Sequence, residues 1–382
     1  MVTIAVTAEP EAEPRVAVSP ETVKKFTGLG CLVKVAAGAG VRSRFSDAAL
    51  KEAGASISPT ASEALGGADI LVRVRRPLAD ELRPLKHGAI VAAMLSPFDE
   101  PAGLEALAAT GVALMAMEFM PRISRAQSMD ALSSQANLAG YKAVVDAAAM
   151  FGQALPLMMT AAGTVPAAKA FIMGVGVAGL QAIATARRLG AIVSATDVRP
   201  ATKEQVASLG AKFIAIEDEE FKQAQTAAGY AKPMSADYQR RQAALVADHI
   251  KLQDIVVTTA LIPGRPAPLL ITRAMIESMK PGSVIIDLAA ERGGNTELTR
   301  QDAIVEHNGV RIAGPSNLAG EVAVNASSLY ARNLLAFLTP MIDNKEKVLK
   351  VDWDDEIVKG TLVAKDGKIV HPSLQPKAGG AS

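Results

Sequence analysis

The chain has 382 residues, 49% of them hydrophobic and 21% charged, with a formal net charge of +1 at pH 7. That length holds about two domains, and the balanced charge gives no support to nucleic acid or a charged membrane surface as a partner. The one cysteine, Cys31, excludes an internal disulfide and suits a reducing compartment.

The N-terminal MVTIAVTAEPEAEPRVAVSP has no basic region followed by an apolar core, so it is not a signal peptide. Val2 to Val6 reads as a short strand. Ser19-Pro20-Glu21 is a helix start: Ser19 caps, Pro20 fits the first turn and Glu21 faces the positive end of the dipole. Strands are expected at Cys31–Ala36, Asp69–Val74, Ala89–Leu95 and Val112–Met117, with helices at Ser46–Ala53 and Leu104–Thr110. Alternation of this kind implies a parallel α/β sheet. Tyr141 to Phe151 is an alanine-rich helix leading to a second domain. The uncharged stretch Ala147–Ala168 contains Gln153, Pro156, Gly163 and Pro166. It is too polar and too alanine-rich for a membrane span, and reads as a buried helix ending near Leu155, then a loop.

In the second domain, strands are expected at Ala170–Met173, Ala191–Thr196, Ala211–Ile216, Asp254–Thr259, Val284–Leu288 and Gly309–Ala313. Between them fall helices at Leu180–Leu189, Ala201–Leu209, Tyr238–Ile250 and Thr272–Met279. Glu217 to Ala236 is long, small and polar, with the aromatic Tyr230; such a connection is either disordered or a lid. Glu321–Leu338 is a helix returning to the first domain, and Asp366-Gly367 between apolar alternations signals a hairpin. The expected architecture is two Rossmann-like parallel-sheet domains with a cleft between them, plus a C-terminal β-hairpin. The first domain takes residues 1–133 and 325–382, the second 134–324.

The most specific motif is Gly174-Val175-Gly176-Val177-Ala178-Gly179, set between a strand and a helix. The first glycine of G-x-G-x-x-G makes the tight turn, the second admits a pyrophosphate, and the third allows close helix–strand packing. The helix N-terminus offers N–H groups and a positive dipole end to the phosphates. Asp197 closes the second strand, placed to accept hydrogen bonds from an adenosine ribose. Its charge repels a 2′-phosphate, so NAD is favoured over NADP, although Arg199, after Val198, is a group able to accommodate that phosphate.

A second, weaker signal is the polar run EFMPRISRAQSMDALSSQANLAGY, Glu118 to Tyr141. It fits a solvated helix start capped by Ser128 or Asp130. It also fits a ligand-facing edge where two α/β domains meet. His87, His249, His307 and His371 are scattered, so no metal site is expected. No acid or base stands beside the glycine loop. Carbonyl reduction needs a proton donor, usually His or Lys, whereas hydride transfer between two nicotinamides needs none.

Stretches EPRVAVSPETVKK, PRISRAQSMDALSSQANLAGYKAV, TAAGTVPAAKAFIMGVGVAGLQAIATARRLGA, TAAGYAKPM, TTALIPGRPAP and MKPGSVIIDLA closely resemble the NAD(H)-binding component of proton-translocating nicotinamide nucleotide transhydrogenase, over nearly the whole chain. Alanine dehydrogenase resembles it too, with a shared fold. The resemblance implies that the chain binds NAD(H) and passes hydride directly to NADP⁺ on a separate domain, while a membrane domain couples this to proton translocation. It implies catalytic roles for Arg122, Gln127, Asp130 and Ser133, with Gln127 reaching towards the partner's nicotinamide. Cofactor contacts fall to Gly174–Gly179, Asp197, Val198, Arg199, Ala260, Leu261 and the lid tyrosine Tyr230. A homodimer is expected, without a membrane span of its own, cytoplasmic and peripheral at the inner membrane through the membrane and NADP(H)-binding subunits. Alanine dehydrogenase wants a lysine in VRVRRP, where Arg73 stands, and a histidine in AAMLSPF, where Ser96 stands. An amino-acid dehydrogenase and a non-catalytic NAD-binding module are the alternatives. Residues 290–295 and 317–322 depart from the transhydrogenase pattern.

Overall fold

The computed structural model describes residues 1–224, 234–262 and 264–375. The chain divides into two compact units, Met1–Gln135 with Gly320–Ser382, and Ala136–Ala319.

In the first unit six parallel strands, Thr3–Val6, Leu32–Ala36, Ser56–Ser58, Ile70–Arg75, Ile90–Met94 and Ala113–Ala116, lie in the order third, second, first, fourth, fifth, sixth. This is the doubly wound order, which reverses direction between the first and fourth strands. Alternate residues feed two cores. Ile4, Val6, Val33, Val35, Val72 and Val74 face one side; Ala5, Leu71, Val91 and Ala93 face the other. A parallel sheet must be covered on both faces, so its strands are apolar throughout. Helix Ala323–Leu338 seals the first face with Tyr330, Leu334 and Phe337. Ser19 caps the helix Pro20–Gly28 through its side chain, as its sequence dictates. The hairpin Leu362–Lys365 and Lys368–Ile369 extends the sheet antiparallel beyond its sixth strand. Its turn residues Asp366 and Gly367 both take positive φ, 51° and 79°, matching the strand twist as a two-residue turn must.

The second unit repeats the order. Lys169–Met173 is its first strand, flanked by Ile192–Thr196 and then Lys212–Phe213 on one side, and by Ile255–Thr258, Val284–Asp287 and Val310–Ala313 on the other. Ile304–His307 is antiparallel at the edge.

Two segments differ from the sequence expectation. The helix begins at Ala131, ten residues before Tyr141, and ends at Met150 rather than near Leu155, because Gly152 and Pro156 follow. The expected loop beyond it holds a small antiparallel hairpin, Met158–Thr160 with Gly163–Val165, whose Met159 is 84% exposed. Among the described residues no helix is long and apolar enough to cross a membrane.

Candidate nucleotide-binding site

In the second unit the first and fourth strands are neighbours in register, Met173 beside Thr258. The chain leaves their carboxyl ends in opposite directions, and ligands of doubly wound sheets sit in the crevice this makes. Gly174 turns there with φ of +100°, a conformation that side chains rarely adopt. Its carbonyl accepts the Thr259 hydroxyl at 3.0 Å. Gly179 lies so close that a Cβ would stand 1.9 Å from the Gly174 carbonyl oxygen. At Gly176 a Cβ would meet nothing within 4 Å. The protein's own packing therefore does not use that space, and a pyrophosphate could. Helix Val177–Arg188 opens at Gly176 with no side chain capping it. Its first turn keeps its positive dipole end for a ligand.

The Asp197 carboxylate is held by its own neighbourhood. It accepts the Val175 N–H at 2.7 Å, the Arg199 backbone N–H at 2.8 Å, and the Arg199 guanidinium twice at 2.9 Å. Arg199 also donates to the Val175 carbonyl. The arginine charge is thus matched by Asp197 and aimed back at the turn. Val198 is exposed beside it.

Opposite, Ala260 and Leu261 follow the fourth strand. Ala260 is fixed by Asn295, whose side chain accepts its N–H at 3.0 Å and donates to its carbonyl at 2.9 Å. Asn295 in turn gives its backbone N–H to Asp287 at 2.6 Å. Asp287 is fully buried and also accepts from Thr258, Ala289, Thr296 and Thr299. Between the two loops lies a hollow of about 280 Å³, lined by Gly176, Val177, Ala178, Thr259, Leu261 and Ser316 among others. None of its lining side chains ionises at neutral pH. Thr259, Asn295 and Ser316 escaped the sequence reading, because no local spacing marks a residue that serves a loop far along the chain. Gly140 escaped it as well. A Cβ there would stand 2.0 Å from the Ala178 carbonyl oxygen, so Gly140 lets its helix approach the glycine loop.

The polar run of the first unit sorts into separate tasks. Asp130 accepts the Ser133 backbone N–H at 2.9 Å and its hydroxyl at 2.5 Å, which caps the helix Ala131–Met150. Gln135 is buried, accepts from Arg15 at 2.8 Å and donates to the Ala326 carbonyl. Ser134 binds Asn333, and Arg125 pairs with Asp355. Arg122 and Gln127 are exposed. Arg73 is buried against Glu9 and Glu81, and Ser96, with φ of 46°, donates its N–H to Glu118 at 2.6 Å. Burial pushes the Glu118 carboxyl above its usual range. Tyr230 lies outside the described residues. Among the described residues no three His, Cys, Asp or Glu gather to hold a metal ion.

Models of two family domains match. The one described as alanine dehydrogenase/PNT, C-terminal domain, matches residues 143–372, and its N-terminal counterpart matches residues 5–139. The chain belongs to the alanine dehydrogenase/PNT family. Within that family it is 55% identical over 367 residues to an NAD(P) transhydrogenase subunit alpha of Rhodospirillum rubrum, covering 95% of this chain and 96% of that protein. The crystal structure of a transhydrogenase from Sinorhizobium meliloti superposes with a TM-score of 0.88 at 54% identity, over 96% of this chain and 100% of that one. An L-alanine dehydrogenase structure shares the fold, with a TM-score of 0.81 at 24% identity, over 98% of each chain. Both family domains thus fall on stretches in which a doubly wound sheet has just been described.

Proposed function

We propose that this chain is the NAD(H)-binding component of a proton-translocating transhydrogenase, and that it exchanges hydride directly with NADP(H) held on a partner subunit. What carries the reading is the switch point of the second unit. A glycine turn, an uncapped helix start and a carboxylate closing the second strand surround a hollow with no ionisable lining. The transhydrogenase alpha subunits it resembles supply the reaction class.

The nucleotide, when bound, supplies a dihydronicotinamide that gives up hydride at one ring carbon. A C–H bond breaks on one ring and forms on the other, two electrons pass with the hydride, and no proton is exchanged. A general acid is therefore not needed, and the Ala, Gly, Val, Thr and Leu lining suffices. What the chain must do is hold, orient and exclude water. Gly174 to Gly179 would take the pyrophosphate, with Asp197 and Val198 at the adenosine ribose, Arg199 bracing Asp197, and Ala260 and Leu261 along the dinucleotide. In the first unit Arg122 and Gln127 would place the nicotinamide, and Asp130 with Ser133 would fix the loop that carries them. Tyr230 would close over the bound nucleotide. The assembly is a homodimer of this chain with a membrane subunit and an NADP(H)-binding subunit, which hold it at the membrane. Arg73 and Ser96, standing where alanine dehydrogenase wants lysine and histidine, speak against an amino-acid substrate.

The test mixes this chain with an NADP(H)-loaded partner domain and follows reduction of an NAD analogue. Rapid transfer in the mixture, with none by either component alone, is expected. Absence of transfer, together with alanine-dependent NADH formation by this chain alone, would overturn the reading.

A further inference from the structure

The first unit has a pocket of its own. It measures about 510 Å³ and opens at the carboxyl ends of the first four strands, beside the turn between the first and fourth. Small-molecule sites range over about 300–1,000 Å³. Pro59, Leu65, Leu71 and Pro84 give it apolar walls. Thr7 and Arg73 also line it, and they are 4% and 3% exposed. The Thr7 hydroxyl and the Arg73 Nε–H have no hydrogen-bond partner among the described residues. Buried donors left unpaired are costly and uncommon, and two lining one pocket ask for an acceptor inside it.

The surroundings select the kind of acceptor. The two Nη atoms of Arg73 are already committed, to Glu81 at 3.0 Å and to Glu9 at 3.3 Å. Its charge is therefore matched, and one fixed N–H remains. Asp80 and Glu81 also line the pocket, which disfavours an anion. Phosphate has no cradle here. The backbone N–H groups of Val74 and Arg75 are taken by Glu9 at 2.7 and 3.1 Å, and no glycine turn follows the first strand.

We propose that this pocket binds an uncharged purine nucleoside, with a ring acceptor on Arg73 Nε–H and Thr7 Oγ1 and the flat ring between Pro59, Leu65 and Pro84. The site belongs to the first unit alone and does not depend on what the second unit binds.

Adenosine is the probe, titrated calorimetrically into the whole chain already saturated with NADH, so that the second unit's site is filled. One equivalent should bind. Thr7→Val, which keeps the shape and removes the hydroxyl, should weaken adenosine roughly five- to tenfold. Ala61→Trp, at an exposed position lining the mouth, should abolish binding. Both variants should hold NADH as the parent does, and AMP should bind more weakly than adenosine. Three results would each overturn the proposal: no adenosine heat in the NADH-saturated chain, adenosine binding untouched by both variants, or AMP binding as tight as adenosine. A raised melting temperature for Thr7→Val with unchanged adenosine affinity would assign the hydroxyl to packing and do the same.

Discussion

The two units share a strand order but treat its reversal point in opposite ways. In the second unit the first strand runs into Gly174, and the backbone leaves open space at Gly176. In the first unit the corresponding turn carries Glu9, whose carboxylate fills the gap by taking N–H groups from the fourth strand. Glu13 adds a second carboxylate, held by Arg15 and Arg75 at 2.7 Å each. One unit keeps its N–H donors for a ligand, and the other satisfies them with its own acids. The doubly wound sheet thus provides a place for a nucleotide phosphate, and the few residues after the first strand decide whether it is used.

The strongest way to break this contrast is Gly179→Ala. The new Cβ would fall 1.9 Å from the Gly174 carbonyl oxygen, so helix and turn must separate. We expect NADH binding to be lost and the unit to be destabilised by more than about 3 kcal/mol, read by fluorescence titration and calorimetric melting. A variant that binds NADH normally would show that close approach is not what makes the loop a site.

Next is Glu13→Gln, which tests the self-filled point. Burial would raise the Glu13 carboxyl, but Arg15 and Arg75 overcome it and hold the group at about 2, below its ordinary 4.5. A lowered folded pKa means stability that is present above 4.5 and lost as pH falls through about 2. The parent should lose about 3 kcal/mol across that window, and Glu13→Gln should show a flatter acid limb in urea melts at successive pH values. Parallel limbs would remove the carboxylate from the account.

Gln127→Asn addresses what the first unit adds to chemistry. Because Gln127 is exposed and proposed to place a ring, hydride transfer should slow by about ten- to a hundredfold while NADH affinity changes little. Equal losses in rate and affinity would make it a binding residue only. The smallest effect is expected for Asp197→Asn. NAD(H) should weaken about tenfold, and NADP(H) should gain as Arg199 loses its charged partner. Unchanged selectivity would place the choice of nucleotide elsewhere.

Much of this was legible in the sequence because it is local. The glycine spacing, Asp197 at a strand end, the Ser19 cap and the Asp366-Gly367 turn each write their geometry in a few neighbouring residues. Asn295 serving Ala260, Asp287 serving Asn295, and Gly140 making room for Ala178 depend on chain segments far apart in sequence, and no periodicity marks them. The polar run Arg122 to Asn137 misled in a different way. Its residue types suit a ligand, yet Ser134 and Gln135 are consumed by Asn333, Arg15 and Ala326. The hairpin at Met158 was hidden because its strands are three residues long and bury almost nothing.

The first unit is assembled from two stretches of chain that flank the second. Its antiparallel edge comes from Leu362–Ile369, and Tyr330, Leu334 and Phe337 from the same late stretch cover one face of its sheet. On the ribosome the first six strands therefore emerge long before their cover is made, and the contiguous second unit is complete in the interval. The dinucleotide fold can mature while the apolar face of its neighbour still waits. A chaperone would find its substrate in the opening third of the nascent chain, and a ligand of the second unit could be captured before synthesis ends.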